Sequence, residues 1–174
     1  AEEVKRDVGG RLRDGEAFDR LVEEHYDDVL AYCRRHAPSY DEAPDVAQEA
    51  FLRFVRSGRS PIEGKPLAYL LTIARNLCID ASRAKRPPAV PLDVDVPDRS
   101  PGADPAAACA GSEVGGLIGA LDPELREVVE LRFDQGFKVG EIAQVLGVSR
   151  FAVNRRLNRA LAELRRGLEG RSEA

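Results

Sequence analysis

The chain has 174 residues, room for one ordinary domain or two small ones. Charged residues make up 32% and hydrophobic residues 43%, which excludes a wholly disordered or fibrous protein. The net charge of −4 is segmented: residues 51–86 carry eight basic and two acidic side chains, residues 137–174 eight and four, but residues 1–50 seven and fourteen. Two basic stretches parted by acidic ones suit two phosphate-facing surfaces and exclude a uniformly basic polyanion binder.

Phe18, Leu21, Val22, His25, Val29 and Tyr32 recur at three- and four-residue spacing and predict a first helix. Ala43, Val46, Ala47, Ala50, Phe51, Phe54 and Val55 predict a second, capped by Asp41. After a Gly- and Pro-bearing loop from Ser57 to Gly64, a third starts at Pro66 and carries Leu67, Leu70, Leu71, Ala74, Leu77, Cys78 and Ala81 on one stripe. Residues 87–112 hold six of the eleven prolines and read as a semi-extended tether. Extended at roughly 3.1 Å per residue it reaches about 80 Å, more than one DNA turn of about 34–36 Å. Beyond it, Asp122-Pro123 opens a helix through Leu125, Val128, Val129 and Arg132 to Gly136, and two more are predicted over 138–146 and 149–167. No strand pattern is present, so the expected fold is all-α: two small helical domains, 1–86 and 113–174, on a Pro-rich linker.

The sharpest local signal runs from Lys138 to Leu157. Ala143 is small where two helices must approach, Gly147 follows at the turn, and Val153 comes six residues later. That is the spacing of a helix-turn-helix. Its second helix, capped by Ser149, carries Arg150, Asn154, Arg155, Arg156, Asn158 and Arg159 on its polar side. Arg pairs with guanine edges and Asn with adenine edges in the major groove, and further arginines suit phosphates. Behind the stripe of the third helix lies a face of Tyr69, Thr72, Arg75, Asn76, Asp80 and Arg83, running into Lys85-Arg86. An aromatic with Asn and Arg beside a basic tail suits unstacked single-stranded bases; a solvated helix face has similar composition.

Three motifs in order carry a family resemblance. Asp45-Val-Ala-Gln-Glu-Ala-Phe-Leu52, Tyr69-Leu-Leu-Thr-Ile-Ala-Arg-Asn76 and Asp80-Ala-Ser-Arg83 resemble regions 2.2 to 2.4 of bacterial sigma factors. Leu121-Asp-Pro-Glu-Leu-Arg-Glu-Val-Val-Glu-Leu131 through Arg159-Ala-Leu161 resembles region 4. Only these two regions on a short linker resembles the extracytoplasmic-function (group IV) sigma factors of the sigma-70 family. The resemblance implies a cytoplasmic promoter-specificity subunit of RNA polymerase, controlled by an anti-sigma factor. Its partners would be promoter DNA and the core enzyme, through the β′ clamp helices and the β flap.

By position, Asp45, Gln48, Glu49 and Leu52 match the segment that docks on the clamp helices. Tyr69, Arg75, Asn76, Arg83, Lys85 and Arg86 match the single-strand −10 contacts, Asn76 at the base-contacting place and Tyr69 where Trp is usual. The loop around Ile62-Glu-Gly64 departs from the family's aromatic-rich one, leaving the preferred −10 base open. Arg150, Phe151, Asn154, Arg155, Arg156 and Arg159 match the −35 contacts. Phe151-Ala-Val153 replaces the common Gly-Thr-Val, and the bulk of Phe151 is expected to shift contacts toward phosphates.

Two rival readings fit the residues less well. His25, Cys33 and His36 share a helix face, but three metal ligands on one helix need closer spacing, and no phosphate-, cofactor- or nucleophile-bearing motif appears. No catalytic residue, metal or cofactor is expected. Cys33, Cys78 and Cys109 show no CxxC pairing and read as free thiols of a reducing compartment. The alternative is a stand-alone helix-turn-helix regulator binding duplex DNA without polymerase. No apolar run is long enough to span a membrane and no secretion signal opens the chain; the lack of Met reads as a removed start or a piece of a longer precursor.

Overall fold

The apolar stripes of the first half fold into α1 (Glu2–His36), α2 (Ala43–Arg56) and α3 (Pro66–Ala84), each packed on the other two. The structure is a computed structural model, describing the backbone of residues 2–59, 64–85 and 113–172 and the side chains of 15–59, 64–85 and 114–170. The expected tether, Arg86, Cys109, Ile62 and Glu63 lie outside the described residues. The chain divides into two compact units, Ala1–Asp98 and Arg99–Ala174, and every described element is helical, with no strand among the described residues. The fold is therefore the expected pair of all-α modules.

The core of the first unit is built from Leu21, Val29, Tyr32 and Cys33 of α1, Ala43, Ala47, Ala50, Phe51 and Phe54 of α2, and Ala68, Leu70, Leu71, Ala74 and Cys78 of α3. Three fully buried alanines bring the α2 backbone close to its neighbours, and Phe54 fills the space they leave. Burying such a large side chain contributes about 1.5–3 kcal/mol. The stripe read for α2 is too wide, since Val55 is 50% exposed. At about 100° per residue it stands well round the helix from Phe54. Asp41 is not the cap either. A 3₁₀ turn, Tyr40–Glu42, runs straight into α2, with Glu42 at the N-cap position making no side-chain cap bond. Ala43 N–H bonds to the Tyr40 carbonyl instead, so the turn's own backbone supplies an acceptor.

The second unit comprises α4 (Glu113–Gly119), α5 (Pro123–Val129), α6 (Val139–Leu146) and α7 (Arg150–Ser172). Pro123 occupies the first turn of α5, as its fixed φ favours. The helix expected to continue to Gly136 leaves α geometry at Val129 and passes through a π turn, Glu130–Asp134. The wider turn carries Arg132 off the apolar stripe, and its guanidinium donates to the Phe137 carbonyl at 2.9 Å. Leu121, Leu125, Val129 and Ala160 form one core cluster, with Ile118 and Leu164 against it. Val128, Leu131, Phe137, Ile142, Val145 and Val153 are also buried.

Helix α4 is held from two sides. Arg126 of α5 donates to the carbonyls of Ile118, Gly119 and Leu121, satisfying backbone groups that a helix C-terminus leaves bare. Leu117 packs so closely over Gly167 of α7 that a Cβ there would run into its side chain.

Candidate functional site

The geometry of the helix-turn-helix follows from three local devices. Glu141 accepts a hydrogen bond from Lys138 N–H at 2.8 Å, closing the start of α6. Gly147 takes φ +66°, which an L side chain adopts only with strain, and Val148 N–H returns to the Ala143 carbonyl at 3.1 Å. Ser149 Oγ then accepts from Ala152 N–H at 3.1 Å, capping α7 as expected. Ala143, Val153 and Leu157 are buried where α6 and α7 meet. The three marker positions therefore do what their spacing predicts.

The structure divides the predicted face of α7 in two. Along its outer edge Phe151, Asn154, Arg155 and Asn158 are exposed, Phe151 by 75%. Arg155 forms no ion pair among the described residues. On the flank toward α5, Arg156 is only 21% exposed and binds Glu124 at 2.7 Å, while Arg159 binds Asp122 at 2.8 Å and Glu163 at 3.0 Å. These arginines, with Arg155, line a groove of about 530 Å³ whose other wall is Asp122, Pro123, Glu124 and Leu125. Arg150 lies back against α6, its guanidinium 3.3 Å from where a Cβ on Gly140 would stand. The six residues share one end of one helix: Phe151, Asn154 and Arg155 face outward without a carboxylate, Arg150 is exposed but lies toward Gly140, and Arg156 and Arg159 are paired. Sequence reading missed Asp122 and Glu124 as partners, because separation in the chain hides the pairing.

In the first unit, Asp45, Gln48 and Leu52 are exposed on one side of α2, with Val55 beside them. Glu49 belongs to the same face but is bound by Arg53 at 2.9 Å and approached by Arg56 at 3.7 Å. On α3, Asn76 and Arg83 are exposed, while Tyr69 and Arg75 are half-buried. Phe54 meets the Tyr69 ring edge-on at 5.7 Å, and the Arg59 guanidinium lies 4.2 Å from its centroid. Arg59 is a third residue that sequence reading passed over; a loop arginine carries no periodic signal. Lys85 forms an ion pair with Glu42, joining the end of α3 to the turn before α2. The Lys85 hydrogen bond holds the Glu42 carboxyl below its ordinary range.

Among the described residues the thiol and imidazole groups form no comparable site. Cys33 and Cys78 are buried and share no disulfide; a hydrogen bond between them, then burial, push the Cys33 thiol far above its ordinary range. The His36 ring lies tilted against Tyr32, 4.3 Å between centroids. Among the described residues no group of three or more His, Cys, Asp or Glu is placed to hold a metal ion, and no helix is long and apolar enough to cross a membrane.

An all-helical pair of modules, one presenting a helix-turn-helix with an arginine- and asparagine-bearing second helix, defines a class of DNA-binding proteins. Within that class, residues 21–87 match the Sigma-70 region 2 family and residues 117–166 match Sigma-70, region 4. The chain is 31% identical over 160 residues to the ECF RNA polymerase sigma factor BldN of Streptomyces coelicolor, covering 88% of this chain and 61% of that one. It is 31% identical over 166 residues to the RNA polymerase sigma factor CarQ of Myxococcus xanthus, covering 89% and 92%. Among solved structures it is similar to CnrH in complex with the cytosolic domain of CnrY, with a TM-score of 0.59, 27% identity and 90% of each chain covered. This chain belongs to the extracytoplasmic-function sigma factors of the sigma-70 family. It spans about three fifths of the length of BldN.

Proposed function

We propose that this chain is a group IV promoter-specificity subunit that binds core RNA polymerase in the cytoplasm, makes no covalent bond itself, and directs initiation at promoters with two elements. The observation that carries the reading is the outer edge of α7, where Phe151, Asn154 and Arg155 stand exposed on a capped, rigidly seated helix. In this reading residues 113–174 place that edge in the major groove of the duplex −35 element and meet the β flap. Arg150, Arg156 and Arg159 turn from their protein contacts to phosphates. Residues 87–112 tether this module to residues 1–86, where Asp45, Gln48, Glu49 and Leu52 dock on the β′ clamp helices. An exposed face with Asp45 and Glu49 toward one end and Leu52 and Val55 toward the other is suited to a basic, partly apolar helical surface.

The −10 element is taken as melted single strand. Asn76 contacts a flipped base, Tyr69 lies beside it, and Arg75, Arg83, Lys85 and Arg86 follow the backbone. Unstacking costs a few kcal/mol per flipped base, which the pocket and the polymerase contacts must offset. Two modules with exposed working faces are also readily covered by a partner, and CnrH was solved bound to the cytosolic domain of CnrY. An anti-sigma factor is the proposed regulator.

Transcription by sigma-free core polymerase on a genomic promoter library, with and without the chain, tests the reading. Discrete chain-dependent starts sharing two upstream motifs are expected. A footprint by the chain alone, with no new starts, would instead establish a stand-alone regulator. Within this reading Asn76→Ala weakens promoter opening while core binding stays intact; a proportional loss of both would remove Asn76 from the base pocket.

A further inference from the structure

The largest described apolar exposure in the molecule sits on the helix proposed to read DNA. Phe151 is 75% exposed, more than any other large hydrophobic side chain among the described residues. Phe133, 60% exposed, shows that exposure alone does not assign a role. Position does. Phe151 is the second residue of α7, in the turn whose side chains reach base edges when a helix-turn-helix docks. The Ser149 cap orders that turn before any DNA arrives.

A benzyl side chain has no hydrogen-bond donor or acceptor and no charge. It has nothing to offer a phosphate and reads none of the donor–acceptor pattern of a base edge. The one apolar feature in the major groove is the C5-methyl group of thymine, a recognised partner of Phe. Resting on the −35 reading above, we infer that Phe151 selects thymine at one position of the −35 element by packing on its methyl group. Asn154 and Arg155 follow at about 4.5 and 6 Å along the helix axis, given a rise of about 1.5 Å per residue. The thymine therefore lies within one or two base pairs of those they contact. The aromatic at this place makes the first turn of α7 a methyl sensor, with the polar readers behind it.

The test uses holoenzyme assembled from core polymerase and the full chain, on a promoter recovered from chain-dependent starts. Each thymine of its −35 element is replaced singly by deoxyuridine, which lacks only the methyl group. Open-complex formation should fall about 3–10-fold at one thymine and stay level at the others. Phe151→Ala should lose that sensitivity while keeping its helical circular dichroism, and Phe151→Leu should retain part of it. In place of that thymine, 5-methylcytosine should outperform cytosine with the natural chain and not with Phe151→Ala. Indifference of the natural chain to deoxyuridine at every position, or undiminished sensitivity in Phe151→Ala, would overturn the inference alone. Absence of any chain-dependent start would overturn it together with the promoter-subunit reading.

Discussion

The outer edge of α7 and the faces of α2 and α3 are both candidate docking surfaces, yet they are prepared differently. On α7, Asn154 and Arg155 stand in water, and only the flank residues Arg156 and Arg159 are tied to carboxylates. In the first unit partnered candidates lie on both helices, beside exposed ones such as Asp45 and Asn76: Glu49 holds Arg53, Tyr69 carries Arg59 over its ring, and Lys85 holds Glu42. A free side chain contributes its whole new contact on binding. A paired one exchanges one partner for another, so its net gain is smaller and its selectivity rests on which partner wins.

The largest expected effect tests whether the first unit's faces depend on its core. Phe54 is 2% exposed and also meets the Tyr69 ring, so Phe54→Ala should cost about 3–5 kcal/mol in urea unfolding and loosen Tyr69 with it. An unchanged midpoint would break the link between core and face. Next, Arg155→Ala should cost about 1–3 kcal/mol of −35 binding and relax selectivity at one position. Uniform loss on every sequence would make Arg155 a phosphate contact and erase its difference from the flank.

Glu124→Gln sharpens the contrast from the other side. Freed of its carboxylate, Arg156 becomes available to phosphate, so binding should tighten by up to about 1 kcal/mol on any DNA, with a salt slope steeper by about one. Weaker binding would mean the ion pair positions α7 rather than competing with DNA. The smallest effect is expected at Glu42. Its carboxyl is held below the ordinary 4.5 by Lys85, so its contribution to stability is present above that pH and disappears as the pH falls through the lower folded value. The Glu42 side chain is partly exposed, and acid unfolding of Glu42→Gln should differ only slightly from that of the natural chain. A large difference would make the Glu42–Lys85 pair a structural anchor.

Periodicity made the helices legible because burial repeats every three or four residues: Leu70, Leu71, Ala74 and Cys78 lie where the stripe put them. The helix-turn-helix was legible for a different reason, since Ala143, Gly147 and Val153 each answer a steric demand local to the turn. What stayed hidden was contact between distant segments. Asp122 reads as a helix cap, but its side chain reaches Arg159, 37 residues on. Asp41 likewise has good capping chemistry and loses to a 3₁₀ turn whose carbonyl is nearer. The π turn leaves no mark in the residue types of Glu130–Asp134, which would suit an ordinary helix. A face can be read from one helix; its division into free and occupied halves needs the neighbour.

Helix α4 has seven residues, too few to hold helical shape alone in water. Its order is lent by the Arg126 guanidinium and by the notch at Gly167, both outside it. Its amides are therefore expected to exchange early relative to those of α5 and α7 in native hydrogen exchange. The protection of its amides should report, at a distance, whether α5 and α7 are correctly assembled beneath the outer edge of α7.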